Sequence, residues 1–169
     1  MRYRLPFLIG LVGSIATACA PTDAAPVAAS REGILPAASL TTLEGAATDL
    51  HAVLRGRVAV LSFWATWCDA CVGEIAALER LHAQARARGD AVVVGIAVGE
   101  PRETVAAFAM ERHLPYQQLV DERFQLADAL GQQRVPATLV VDRAGRIVFR
   151  GGALDPASLA AFRSALHSP

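Results

Sequence analysis

The chain has 169 residues, 53% hydrophobic and 19% charged, which is enough apolar material for one ordinary domain core and too little charge for a disordered chain. Basic and acidic residues number 16 each, so no positive surplus exists to neutralise a phosphate backbone, and nucleic acid is not an expected partner. Every basic residue among those 16 is arginine, and the three cysteines stand at 19, 68 and 71.

Residues 1–18 read as an export signal. Arg2 and Arg4 precede an uncharged, mostly apolar run over 5–18 that closes in small residues, the form of a secretory signal peptide. A membrane span needs about 20 apolar residues, so the run is too short to cross comfortably. Its end, Ile15-Ala-Thr-Ala-Cys19, resembles the lipobox of bacterial lipoproteins, although Ala16 stands where that pattern prefers Leu. The resemblance implies lipid attachment at Cys19, which would leave Cys68 and Cys71 as one pair; ordinary cleavage nearby, releasing a soluble protein, is the alternative. Residues 19–38 are rich in Ala and Pro and lack aromatics, so they read as a flexible tether, with the folded domain over 39–169.

From residue 39 the pattern alternates. A short strand is predicted over 39–43 and a short helix over 49–54, capped by Thr48 or Asp49. The near-continuous apolar run 57–64 predicts a strand buried on both faces. Residues 69–88 predict a helix with Val72, Ile75, Leu78 and His82 inward, ended by Gly89. A second buried strand is predicted over 91–98, and a helix over 101–113 with Pro in its first turn and Val105, Phe108 and Ala109 inward. A further helix over 122–130 stops at Gly131; strands over 137–141 and 146–150 are joined by a turn at 142–145. Asp155-Pro156 opens a last helix with Leu159, Phe162 and Leu166 on one face. Strands alternating with helices make this an α/β domain, a mostly parallel sheet flanked by helices, with the closing hairpin adding an antiparallel edge.

Trp67-Cys68-Asp69-Ala70-Cys71 falls between the first buried strand and the long helix. That context places Cys68 at a helix start, where unpaired N–H groups and the positive dipole end favour the thiolate, the reactive form of cysteine. Cys71 lies nearly one turn on, so its sulfur can reach back and close a disulfide. The pair can attack a partner's disulfide through Cys68 and resolve the mixed disulfide through Cys71. The competing readings are weaker. A zinc site needs four ligands, and Cys19 with four histidines of no paired spacing does not supply them. A permanent structural disulfide closing so small a loop constrains the unfolded chain little. Leu61 and Ala65 stand where a peroxiredoxin would place Pro and Thr.

Phe63-Trp-Ala-Thr-Trp-Cys-Asp-Ala-Cys71, with Arg134-Val-Pro-Ala-Thr-Leu-Val-Val-Asp-Arg-Ala-Gly-Arg-Ile-Val148 downstream, resembles the TlpA/ResA branch of membrane-tethered thioredoxin-like proteins over residues 39–166. The resemblance implies a thioredoxin fold with an extra strand–helix unit, matched here by about 91–114. It implies that Pro136 is cis and sits against the cysteine pair; an X–Pro bond adopts cis at a cost of about 0.5–1 kcal/mol. Val135 would then offer its backbone to a substrate strand. Glu74 matches the acidic residue this family places near the cysteines, where partial burial would raise its pKa and let it shuttle a proton; a solvated first-turn charge is the other reading. Trp67 is expected as an exposed wall of the substrate surface and Trp64 as core. Ala70 and Ala76 depart from family prolines, and Ser62 stands where thioredoxin keeps a buried Asp. Asp69 puts a negative charge beside Cys68, which disfavours the thiolate and favours a reductant role.

These expectations describe an exported, lipid-anchored thiol–disulfide oxidoreductase on the periplasmic side of a bacterial envelope, acting as a monomer. Its expected substrates are proteins with cysteine pairs, such as apocytochrome c or copper-site proteins, and its expected electron source is a membrane thiol donor. No organic cofactor or metal is expected beyond the redox-active disulfide. The rival is a metallochaperone holding Cu(I) on the same two thiolates.

Overall fold

The computed structural model describes residues 33–168. Eight strands form one sheet: β1 (Gly33–Ile34), β2 (Ser39–Thr42), β3 (Ala47–Asp49), β4 (Val58–Trp64), β5 (Ala91–Val98), β6 (Gln117–Asp121), β7 (Ala137–Val141) and β8 (Arg146–Gly151). Five helices join them: α1 (Leu50–Leu54), α2 (Asp69–Arg88), α3 (Arg102–Glu111), α4 (Gln125–Ala129) and α5 (Pro156–His167). The sheet order is β1-β8-β7-β4-β5-β6-β2-β3, with β4, β5 and β6 parallel and the remaining pairs antiparallel. This is the mixed, helix-flanked sheet of the thioredoxin fold.

All seven residues of β4 and all eight of β5 are buried, because helices cover both faces at the centre. One face, carrying Ala59, Leu61, Phe63, Val94 and Ile96, packs on α1 and α4 through Leu50, Leu54 and Leu126. The other, carrying Val58, Val60 and Val93, packs on α2 and α5 through Leu78, Leu81 and Phe162. The strand and helix expected across 91–114 are present as β5 and α3, and the chain continues from them into β6, which the sequence reading does not name. Its first residues explain the omission: Gln117 and Gln118 break the apolar pattern, although Gln118 is buried.

Gln118 also accounts for Gly95. On the α2 face the register sets Thr138, Ser62, Gly95 and Gln118 side by side across β7, β4, β5 and β6. The Gln118 amide lies across Gly95, accepting from Trp64 Nε1 at 3.0 Å and donating to the Tyr116 carbonyl at 3.3 Å. A Cβ at position 95 would stand 2.0 Å from Gln118 Oε1.

Three further boundaries differ from expectation. Residues 33–38, assigned by composition to the tether, are folded with the domain: Gly33–Ile34 pair with β8 and Leu35 is 1% exposed in the core. The inward stripe of α2 is Cys71, Leu78, Leu81 and Ala85, with Val72, Ile75 and His82 only half-buried, because helical geometry aligns residues seven and then three and four apart. The helix expected over 122–130 is confined to Gln125–Ala129, since Phe124 takes a left-handed conformation at its N-cap and Asp121 Oδ2 accepts from Ala127 N–H at 2.9 Å. The predicted signal peptide over 1–18, Cys19 and the tether up to residue 32 lie outside the described residues. Among the described residues no helix is long and apolar enough to cross a membrane.

Gly95→Ala is expected to displace the Gln118 amide, leaving the buried Trp64 N–H unpaired, at a cost of about 1–3 kcal/mol read as a lower denaturant midpoint. In a Gln118→Ala background the same change is expected to cost much less; an equal cost in both backgrounds contradicts the account.

Candidate active site

β4 ends at Trp64, the loop Ala65-Thr66-Trp67 follows, and α2 begins at Asp69 with Cys68 as its N-cap. Cys68 has extended backbone (φ −91°, ψ 95°), and its Sγ accepts from the Cys71 N–H at 3.2 Å, the place usually taken by a Ser or Asp oxygen. Cys68 and Cys71 are joined in a disulfide with their Cα atoms 5.2 Å apart. At 7% and 4% exposure the pair is recessed rather than displayed. It packs in a cluster with Trp64, Ala65, Ala97, Val105 and Val120.

The structure brings most of the expected residues together. Val135 packs against the cysteine cluster from the loop before β7, and the Val135–Pro136 bond is cis. Trp67 is 69% exposed, whereas Trp64 is 6% exposed and tilts against Phe108 with ring centroids 5.4 Å apart. Beside Trp67 opens a cavity of about 550 Å³ floored by Phe63 and Val98 and walled by Trp67, Phe124 and Val135. Phe124 was not anticipated. It is a 45% exposed aromatic at positive φ, and nothing in its local sequence distinguishes it from a helix residue.

Glu74 is half-buried on the second turn of α2, and its Oε1 accepts from the Leu154 N–H at 2.7 Å, tying α2 to the start of α5. Burial pushes its pKa up; the Leu154 hydrogen bond opposes the rise and the charge of Asp155 adds to it. Nearby Tyr116 is pushed up to about 12 by its own burial, so it carries no charge at neutral pH.

A second acid was not foreseen. Glu100 is 7% exposed, and its carboxylate accepts both the Thr66 N–H, at 2.7 Å, and the Thr66 hydroxyl. The parallel pairing Trp64↔Ala97 sets the segments after β4 and β5 side by side, which a sequence read one strand at a time does not reveal. Gln118 was missed for the same reason. Among the described residues no group of three or more His, Cys, Asp or Glu side chains is arranged to hold a metal ion.

The profile of the Redoxin family matches residues 28–164. The chain is 29% identical over 109 residues to the thiol-disulfide oxidoreductase ResA of Halalkalibacterium halodurans, covering 64% of this chain and 61% of that protein. It is 34% identical over 113 residues to the thiol:disulfide interchange protein DsbE of Pseudomonas fluorescens, covering 66% and 61%. It thus spans less than two thirds of the length of these curated relatives. The crystal structure of a secreted Mycobacterium tuberculosis disulfide oxidoreductase superposes with a TM-score of 0.62 at 26% identity, covering 76% of this chain and 95% of that one.

The raised pKa of Glu74 carries a sign. A carboxyl whose folded pKa exceeds its unfolded value, near 4.5, costs the folded state stability as pH rises through that window. Glu74→Gln keeps an acceptor for Leu154 and removes the titration. The stability of the variant relative to the parent is therefore expected to rise from pH 4 towards neutrality, measured by denaturant unfolding at each pH; a flat difference contradicts a raised Glu74.

Proposed function

The chain belongs to the Redoxin family, and we propose that it is an exported thiol–disulfide oxidoreductase that works through Cys68 and Cys71, as a reductant of cysteine pairs in envelope proteins. The observation that carries this reading is the disulfide-bonded pair at the N-terminus of α2, packed against Val135 beside the cis Val135–Pro136 bond. In the reduced protein the helix dipole and the unpaired first-turn N–H groups favour the Cys68 thiolate. The thiolate attacks one sulfur of a substrate disulfide. That S–S bond breaks, a Cys68–substrate bond forms, and the released substrate thiolate takes up a proton. Cys71, losing its proton, then attacks Cys68 Sγ and expels the second substrate sulfur as a thiol. Two electrons have passed to the substrate, the Cys68–Cys71 disulfide is formed, and a dithiol donor on the membrane regenerates the pair by the reverse exchange.

The remaining residues take roles around this step. Val135 offers its backbone to the substrate strand, with Pro136 leaving room beside the sulfurs, and Trp67 forms a wall of the docking surface. Glu74, with its pKa raised, shuttles the proton that Cys71 gives up. Asp69, exposed next to Cys68, weakens thiolate formation and favours the reducing direction. The secreted Mycobacterium tuberculosis oxidoreductase on which the fold superposes, together with the signal-like pattern of residues 1–18, supports an envelope location; the further reading takes Cys19 as lipid anchor and proteins such as apocytochrome c or copper-site proteins as substrates. The disulfide itself is the redox group, and the protein acts as a monomer.

Cys68→Ser is expected to reduce dithiothreitol-driven insulin reduction to the uncatalysed background. Cys71→Ser is expected to accumulate a mixed disulfide on Cys68, visible by non-reducing gel and mass spectrometry. Tight stoichiometric Cu(I) binding by a parent chain without turnover would instead assign the pair to a metallochaperone.

A further inference from the structure

Glu100 is a buried acid that disulfide exchange does not itself require. Removing a carboxylate from water is costly unless its oxygens are paired, and here both are directed to one residue: Oε2 accepts the Thr66 N–H and Oε1 the Thr66 hydroxyl. Thr66 immediately precedes Trp67 and Cys68. The residue before Glu100 meets a second aromatic that lines the cavity, Phe124. Gly99 lies at φ +70°, its N–H donates to the Asp121 carbonyl at 3.1 Å, and the Phe124 ring covers it so closely that a Cβ there would stand 2.1 Å from Phe124 Cζ. The dipeptide after β5 thus touches Phe124 through the bare Gly99 and, through Glu100, the Thr66 that precedes Trp67.

We infer that Glu100 is a positioning residue for protein substrates: its carboxylate fastens Thr66 so that Trp67 and Cys68 are presented together beside the cavity that Trp67 and Phe124 line. This rests on the exchange activity proposed above. The hydrogen bonds, not the negative charge as such, do the fastening. A glutamine at 100 can accept the Thr66 N–H through its amide oxygen and donate to the Thr66 hydroxyl oxygen through its NH₂, whereas an alanine can do neither. Loosening the loop blurs one wall of the docking surface before it touches the sulfurs, so the loss falls on substrate binding.

The test is the steady-state kinetics of dithiothreitol-driven insulin reduction by the full chain, with folding of each variant checked by thermal unfolding. Glu100→Ala is expected to raise KM for insulin about tenfold with a much smaller change in kcat, the order that a lost hydrogen bond to a charged group commands. Glu100→Gln is expected to stay within about threefold of the parent KM, since both of its bonds to Thr66 can re-form. Should Glu100→Ala fail to fold, Thr66→Val removes the hydroxyl alone and is expected to raise KM by an intermediate factor. A Glu100→Gln as impaired as Glu100→Ala, or variants whose KM does not move, overturns the positioning role while leaving the exchange activity standing. A parent chain with no insulin reduction, matched by Cys68→Ser, overturns the activity itself.

Discussion

A helix begins with N–H groups that none of its own carbonyls can reach, and in this protein a sulfur stands at that place. Cys68 Sγ accepts the Cys71 N–H and is at the same time bonded to Cys71 Sγ, so one atom both caps α2 and carries the redox bond. The position is not free to drift. β4 is buried along its whole length, and the 20-residue α2 is pinned to the sheet by Leu78, Leu81 and Ala85. Strand and helix together leave the cysteines a single location, at the C-terminal end of the parallel strands, where α/β folds commonly place their chemistry.

The loops around that location are held by carboxylates that accept backbone N–H groups. Glu74 holds Leu154 at the start of α5, Glu100 holds Thr66 before the cysteines, and Asp121 holds Ala127 in α4. Glu100 and Asp121 hold segments next to the cysteines and the cavity, whereas Glu74 joins α2 to the segment that leads into α5. Acids suit the task because a carboxylate accepts from amides more strongly than a neutral group does. The cost is burial, which in Glu74 shows as a raised pKa.

Beneath the loops, β6 widens the sheet and brings Gln118 over Gly95 to the indole of Trp64. The site-facing core is therefore fixed by one side-chain bond that crosses a whole strand, made possible by the absence of a side chain in between. Trp64 packs with the cysteines in the same cluster, so this polar clasp and the redox pair share one wall.

Periodicity and end signals by themselves determined the helix–strand alternation, the two buried central strands, the stop at Gly89 and the closing hairpin, because these depend on local propensity and on which residues avoid water; between Thr48 and Asp49 as the cap of α1, the structure chose Asp49. The Trp67-to-Cys71 segment likewise pointed to the exchange chemistry proposed above, since it sets two thiols one turn apart at a helix start. Contacts between distant segments decided the rest. β6 was illegible because its buried Gln118 accepts from the Trp64 indole 54 residues away, with only its bond to the Tyr116 carbonyl being local; Glu100 was illegible because it faces Thr66 across 34 residues; and Leu35 was counted as tether because β8 and the sheet around it give it a place to be buried. A polar side chain is read as exposed until the partner that satisfies it is known, and that partner is supplied by the register of the sheet.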